Sequence, residues 1–307
     1  MSLNKTVLIY LLLLIPGLLT GLNITAVNAA ANKLETASME EAPIRINLST
    51  LHQTPEIDGS LAEWGKDGWH RLVLKPALDK NLKKLPPEVI VELKTSIVGE
   101  HFFTAAKWPD EKADLEYKNW VWRVKKYSRD KKLDDMFAMR FDMGGDYNKC
   151  MISKSDYTVD VWLWSSARSN LTGYAEDMNH HMSTRMIENA AEYESKDGGI
   201  IYIKKKKDSG TPAYKNNRIN RKKKTEKKVK SIKLADTPTG SVVDVKAKAQ
   251  WSDGFWHLEM MRKLDTGNAD DVSLLDRDDI LGAIAVFNHN AAEHKNKSKT
   301  LLFKLKP

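Results

Sequence analysis

The chain has 307 residues, 29% of them charged and 41% hydrophobic, with a formal net charge of +8. That is enough chain for one large or two small domains with a real core. The only cysteine is Cys150, which excludes a disulfide framework, a cysteine-rich zinc or iron–sulfur site, and the C-x-x-C-H attachment of a covalently held haem.

In chain order, the first element is a leader. Lys5 precedes an apolar stretch from Val7 to Leu19, broken only by Pro16 and Gly17, and the small-residue segment Val27-Asn28-Ala29-Ala30-Ala31 follows. A charged n-region, an apolar h-region and an A-x-A-like site in that order predict a cleavable secretory signal over residues 1–29, and hence a protein exported to a periplasm. The uninterrupted apolar run is shorter than the roughly 20 residues a spanning helix needs. No other segment could span a membrane, so none is expected after cleavage. Residues 30–45 are small and polar and read as a disordered leader, and residues 46–307 as a single domain.

The dominant period thereafter is two. Glu56-Ile57-Asp58-Gly59 reads as a structural turn ahead of Trp64. Pro87–Val98 alternates, Gly99-Glu100 turns, and His101–Trp108 returns. The block 134–151 holds Met136, Met139, Met143 and Met151. Methionine usually fills gaps in a core, yet its thioether is also a soft ligand that suits haem iron. In Asp160-Val161-Trp162-Leu163-Trp164 the two indoles share one strand face. They suit core packing, a sugar-stacking platform or the wall of a flat cofactor pocket, and spacing does not choose.

Met178–Tyr193 is the best helical candidate, although its apolar spacing is irregular. On a helix His180 and His181 would diverge by about 100° and form no chelate by themselves. Gly199–Ile203 reads as a strand. Residues 204–240 read as a basic loop insertion of mobile composition. Thirteen Lys/Arg against Asp208 and Glu226 give Lys204–Lys230 a local +11, leaving −3 for the rest of the chain. Such a run can meet an acidic partner or anionic lipid. Without interleaved aromatics, and on an exported chain, no nucleic-acid partner is expected.

Val242–Trp251 alternates again, and Ser252-Asp253-Gly254 turns it into Phe255–Met261 as a hairpin. Arg262 and Lys263 end that strand, where a cation faces water or is turned inward. Ile280–Phe287 and Thr300–Leu305 are short apolar strands. Many short strands with long loop insertions and little helix predict an all-β fold, an antiparallel β-sandwich with a short helix. No HExxH, Gly-rich phosphate loop or G-x-S-x-G elbow is present, which argues against a hydrolase or kinase.

Taken together, the blocks Ile57-Asp58-Gly59, Lys107-Trp108-Pro109-Asp110, Tyr117-Lys118-Asn119-Trp120, 135–141, 160–168 and 262–267 resemble the ethylbenzene-dehydrogenase-related haem-binding domain family. That family includes the γ subunits of periplasmic molybdenum enzymes of the dimethyl sulfoxide reductase type. The resemblance covers nearly all of the mature chain. It implies a sandwich similar to a family-nine carbohydrate-binding module, holding one noncovalent haem b between a methionine and a lysine. Met151 matches the methionine position, and Lys263 the lysine, with Lys299 as the alternative. Trp162 and Trp164 would wall the porphyrin and Arg168 pair with a propionate. A lysine ligates iron only as the neutral amine, so its site must lower its pKa. Where the family commonly reads W-H-W-K, this chain has Trp162-Leu163-Trp164-Ser165. The function implied is electron transfer by a periplasmic b-type haem protein without bond chemistry of its own. Its expected partner is a redox protein such as a periplasmic oxidoreductase or cytochrome. The competing readings are a haem-free glycan-binding module and a structural subunit of an exported redox complex.

Overall fold

The alternating segments pair into two face-to-face layers in the computed structural model, which describes residues 41–76, 87–289 and 296–306. The expected signal segment, and residues 30–40 of the leader, lie outside the described residues. The strands are β1 (Ile44–Ile46), β2 (His70–Pro76), β3 (Val89–Val98), β4 (His101–Pro109), β5 (Trp120–Arg123), β6 (Lys126–Arg129), β7 (Met136–Gly145), β8 (Tyr157–Ser165), β9 (Glu176–Ser183), β10 (Ala191–Glu194), β11 (Ile200–Lys207), β12 (Tyr214–Asn216), β13 (Lys228–Val229), β14 (Ile232–Leu234), β15 (Lys246–Ser252), β16 (Phe255–Lys263), β17 (Asp279–Phe287), β18 (Asn296–Lys297) and β19 (Leu301–Lys304). One layer runs β10-β11-β9-β8-β7-β17, with β19 and β1 on its far side. The other runs β2-β3-β4-β16-β15, and the two-residue β18 links them. All pairings are antiparallel except that of β1 with β19. The fold is an all-β sandwich.

The core lies between the layers. Trp162 and Trp164 of β8 meet Phe102, Trp108 and Trp256 of the opposite layer, with ring centroids 6.1 Å (Phe102–Trp162), 5.9 Å (Trp108–Trp164) and 4.9 Å (Trp164–Trp256) apart. Edge-to-face aromatic pairs of this kind add about 0.5–1.5 kcal/mol each beyond burial. The Asp253-Gly254 turn has φ +51° and +79°, both in the left-handed region that a tight two-residue hairpin needs. Gly59 has φ +90°, and a Cβ there would sit 2.8 Å from the Ala249 carbonyl carbon. This turn brings Trp64 onto the outside of the second layer, where its Nε1 donates to Glu259 at 2.7 Å.

Three expectations are corrected. The leader ends earlier than residue 45, because Ile44–Ile46 pairs with β19 and Ile46 is buried; three residues are too few for a readable period. Met178–Tyr193 is not a helix: β9 covers its first half and β10 its end. The period of two was hidden there because the inward residues of β9 are Asp177 and Asn179, which face polar partners rather than apolar ones.

The basic insertion is folded as well. Lys204–Lys207 continue β11 against β9, β12 pairs with β14, and β13 adds to the β5–β6 hairpin. The Tyr127 hydroxyl donates to the Glu226 carbonyl at 2.6 Å and accepts from the Thr225 and Glu226 amides at 3.1 and 3.0 Å. Arg129 and Arg221 both lie over the Trp120 ring. Among the described residues no helix is long and apolar enough to cross a membrane.

Candidate functional site

Strand alternation puts two different surfaces on the first layer. Its inward face is the aromatic core. Its outward face is set by register, since directly opposed residues point the same way. One row across this face runs Lys297, Ala285, Ala138, Leu163 and Glu176. The next runs Ala283, Arg140, Val161 and Met178, and a third places Val159 beside His180 and Lys205. The middle of the face is thus a shelf of small or flat apolar side chains. Ala138, Leu163 and Ala285 are half-buried there, and Val161 and Ala283 are buried.

Donor side chains surround the shelf. The segment after β7 folds over one end and brings Met151, half-buried, against Tyr157, Val159, Val161 and Met182. Arg140 donates to the Asn148 carbonyl at 2.9 Å and lies 5.5 Å from the Tyr147 ring centre, fixing that segment. On the other side Lys297 is half-buried. Burial is the main cause that lowers its pKa; Cys150 opposes it, while Arg140, Lys149 and Lys196 add to it. The amine is therefore held toward its neutral form, beside the residue that precedes Met151. His180 is buried, its Nε2 has no hydrogen-bond partner, and burial, then Lys205 and Arg140, push its pKa down to about 3. A thioether, a desolvated amine and a neutral imidazole thus share one apolar face. This donor set fits a soft or borderline metal centre such as haem iron.

The residues expected from sequence are divided by the fold. Met151 belongs to this face. Lys263 does not: it is exposed at the end of β16 on the outside of the second layer, opposite His101, and nothing brings it to Met151. Its neighbour Arg262 is the cation turned inward. Lys299 lies two residues beyond Lys297, half-buried. Trp162 and Trp164 are fully buried between the layers, so they wall no open pocket and offer no platform to a sugar. The partner face of β8, with Val161 and Leu163, is the one turned to the shelf. Arg168 stands at the shelf's end, its Nη2 3.0 Å from the Met136 sulfur. Its charge is already met by Glu176 at 2.5 Å and Asp134 at 3.5 Å, which leaves little for a propionate. Sequence reading missed Lys297 and Arg140. No local signal could have joined them, because β7 and the two-residue β18 meet only through β17.

Comparison with known proteins follows this geometry. A family profile described as "Ethylbenzene dehydrogenase" matches residues 73–299. No curated protein matches the chain. Among solved structures it is similar to a candidate carbohydrate-binding protein from Bacteroides uniformis, at 9% identity and a TM-score of 0.42, over 85% of this chain and 91% of that one.

Proposed function

The chain belongs to the ethylbenzene dehydrogenase family, and we propose that it is an exported electron-transfer protein that binds haem b noncovalently on the outward face of its first layer. Met151 and Lys297 would hold the haem iron in this reading. The observation that carries it is the desolvated Lys297 amine set across a shelf of small side chains from the Met151 segment. Haem b supplies a one-electron couple at its iron.

What the protein contributes follows from its own residues. Ala138, Ala283, Ala285 and Val161 give the outward face a floor of small apolar side chains. Burial lowers the Lys297 pKa, which eases loss of the proton that ligation requires. Arg140 and Lys149, the cations beside Lys297, suit the propionates of a bound porphyrin. No nucleophile–base pair is needed, because the protein performs no bond chemistry. The β5–β6–β13 module, which folds the lysine-rich segment onto a second basic hairpin, offers a positive face to an acidic redox partner.

Haem titration into purified protein tests the proposal. A single low-spin Soret band saturating at one haem per chain is expected, and Met151→Ala should convert it toward high spin. Absence of any Soret shift on titration contradicts the proposal.

A further inference from the structure

The inward end of the same layer holds more buried carboxylate than its cation can neutralise. Asp160 of β8, Asp177 of β9 and Asp271, beyond β16, bring carboxylate oxygens within 4.8 Å of one another, and all three are buried. Arg262 is the cation among them. Its Nη1 donates to Asp160 Oδ2 at 2.6 Å and to Asp271 Oδ1 at 3.0 Å, and lies 3.9 Å from Asp177 Oδ2. Its Nη2 donates to the Val272 carbonyl at 2.7 Å. Asp208 follows β11 nearby: its amide donates to the Asp177 carbonyl at 3.2 Å, and its Oδ1 accepts from Asn179 at 3.0 Å.

Hydrogen bonding leaves a specific remainder. Both oxygens of Asp177, Oδ1 of Asp160 and Oδ2 of Asp208 are buried and accept no hydrogen bond. Asp177 has no exposed surface. Burial and then Asp160 drive the Asp177 carboxyl well above the usual range. Burial, with Asp160 the strongest of the neighbouring charges, raises Asp208 to about 7. An unpaired buried carboxylate is costly, and one guanidinium is shared among three of them. These orphaned donors are all hard oxygens, with no thiol or imidazole, which selects calcium or magnesium over softer metals. Asp177 offers both oxygens, and water completing an irregular shell of six to eight ligands suits calcium rather than octahedral magnesium.

We propose that Asp177, Asp160 and Asp271 form a buried site for a hard divalent cation, calcium by preference, on the opposite face of the sheet from the shelf. The cation would complete the neutralisation that Arg262 begins and lock β8, β9 and the segment after β16 together. The site is independent of any haem.

The test uses the full chain, stripped with a chelator and dialysed, then given calcium or terbium. Calcium at a hundredfold excess over its Kd should raise Tm by about 5–10 °C. Terbium should luminesce on indole excitation, since the Trp162 ring centre lies 4.8 Å from the Arg262 guanidinium carbon. Asp177→Asn keeps the size and shape of the protonated carboxyl, so the variant folds, and it should abolish both responses. A stripped protein indifferent to calcium and dark with terbium, or an Asp177→Asn variant that keeps both responses, would overturn the proposal in favour of a proton-sharing carboxylate cluster.

Discussion

His180 couples burial to pH with a definite sign. Its imidazole is held to about 3 in the fold against an ordinary 6.5. Between those values the unfolded chain binds a proton that the folded chain refuses. Its contribution to stability is therefore present above pH 6.5 and lost as pH falls through the window. At pH 5 the loss is about 2 kcal/mol, at 1.36 kcal/mol per unit. Asp135, Asp208 and Glu259, raised to about 7 chiefly by burial, act the other way, because the fold takes up protons there before the unfolded chain does. A difference measurement isolates the histidine. Urea unfolding at pH 7.5 and 5 should show wild type losing about 2 kcal/mol more than His180→Leu. Equal losses would mean that the folded imidazole accepts the proton. At this scale the sequence was only half legible. Alternation put Trp162 and Trp164 on one face of β8, but Val161 and Leu163 made the other face equally apolar. Which face turned inward was decided by Phe102, Trp108 and Trp256 in a layer far away in sequence.

Elements were legible where their period was complete. The β3–β4 and β15–β16 hairpins follow from alternation and from glycine-bearing turns, and they form within a few residues of where the sequence puts them. β9 was not legible, because its inward residues serve Arg262 and Asp208 instead of an apolar core, which erases the contrast that a period requires. The basic insertion was misread for a similar reason: composition records its charge but not the hydrogen bonds that fold it. Tyr127 supplies three of those bonds through one hydroxyl. Tyr127→Phe leaves two amides and a carbonyl without that partner, a local cost of about 1–3 kcal/mol. Limited trypsin digestion should then cut faster between Arg221 and Lys228 while the main unfolding transition moves little. An unchanged cleavage rate would mean that the insertion is held by other contacts.

For the whole molecule, the sandwich uses the two faces of one sheet for different chemistry. Asp160 and Asp177 point inward to Arg262. Val161 and Met178, the next residues along β8 and β9, point outward to the shelf. The lysine-rich segment carries charge opposite in sign to the rest of the chain, and the fold divides it between β11, the β12–β14 pair and the β5–β6–β13 module. The sandwich class was readable from sequence, because alternation runs through most of its strands. The place of Lys297 on the outward face was not, because β18 is two residues long and meets β17 only in the fold. The most direct test of the account compares haem titrations of wild type, Lys297→Ala, Lys263→Ala and Lys299→Ala. The account predicts that Lys263→Ala and Lys299→Ala keep the wild-type low-spin spectrum while Lys297→Ala loses it. A low-spin spectrum that survives Lys297→Ala and disappears in Lys263→Ala would contradict the assignment of the outward face.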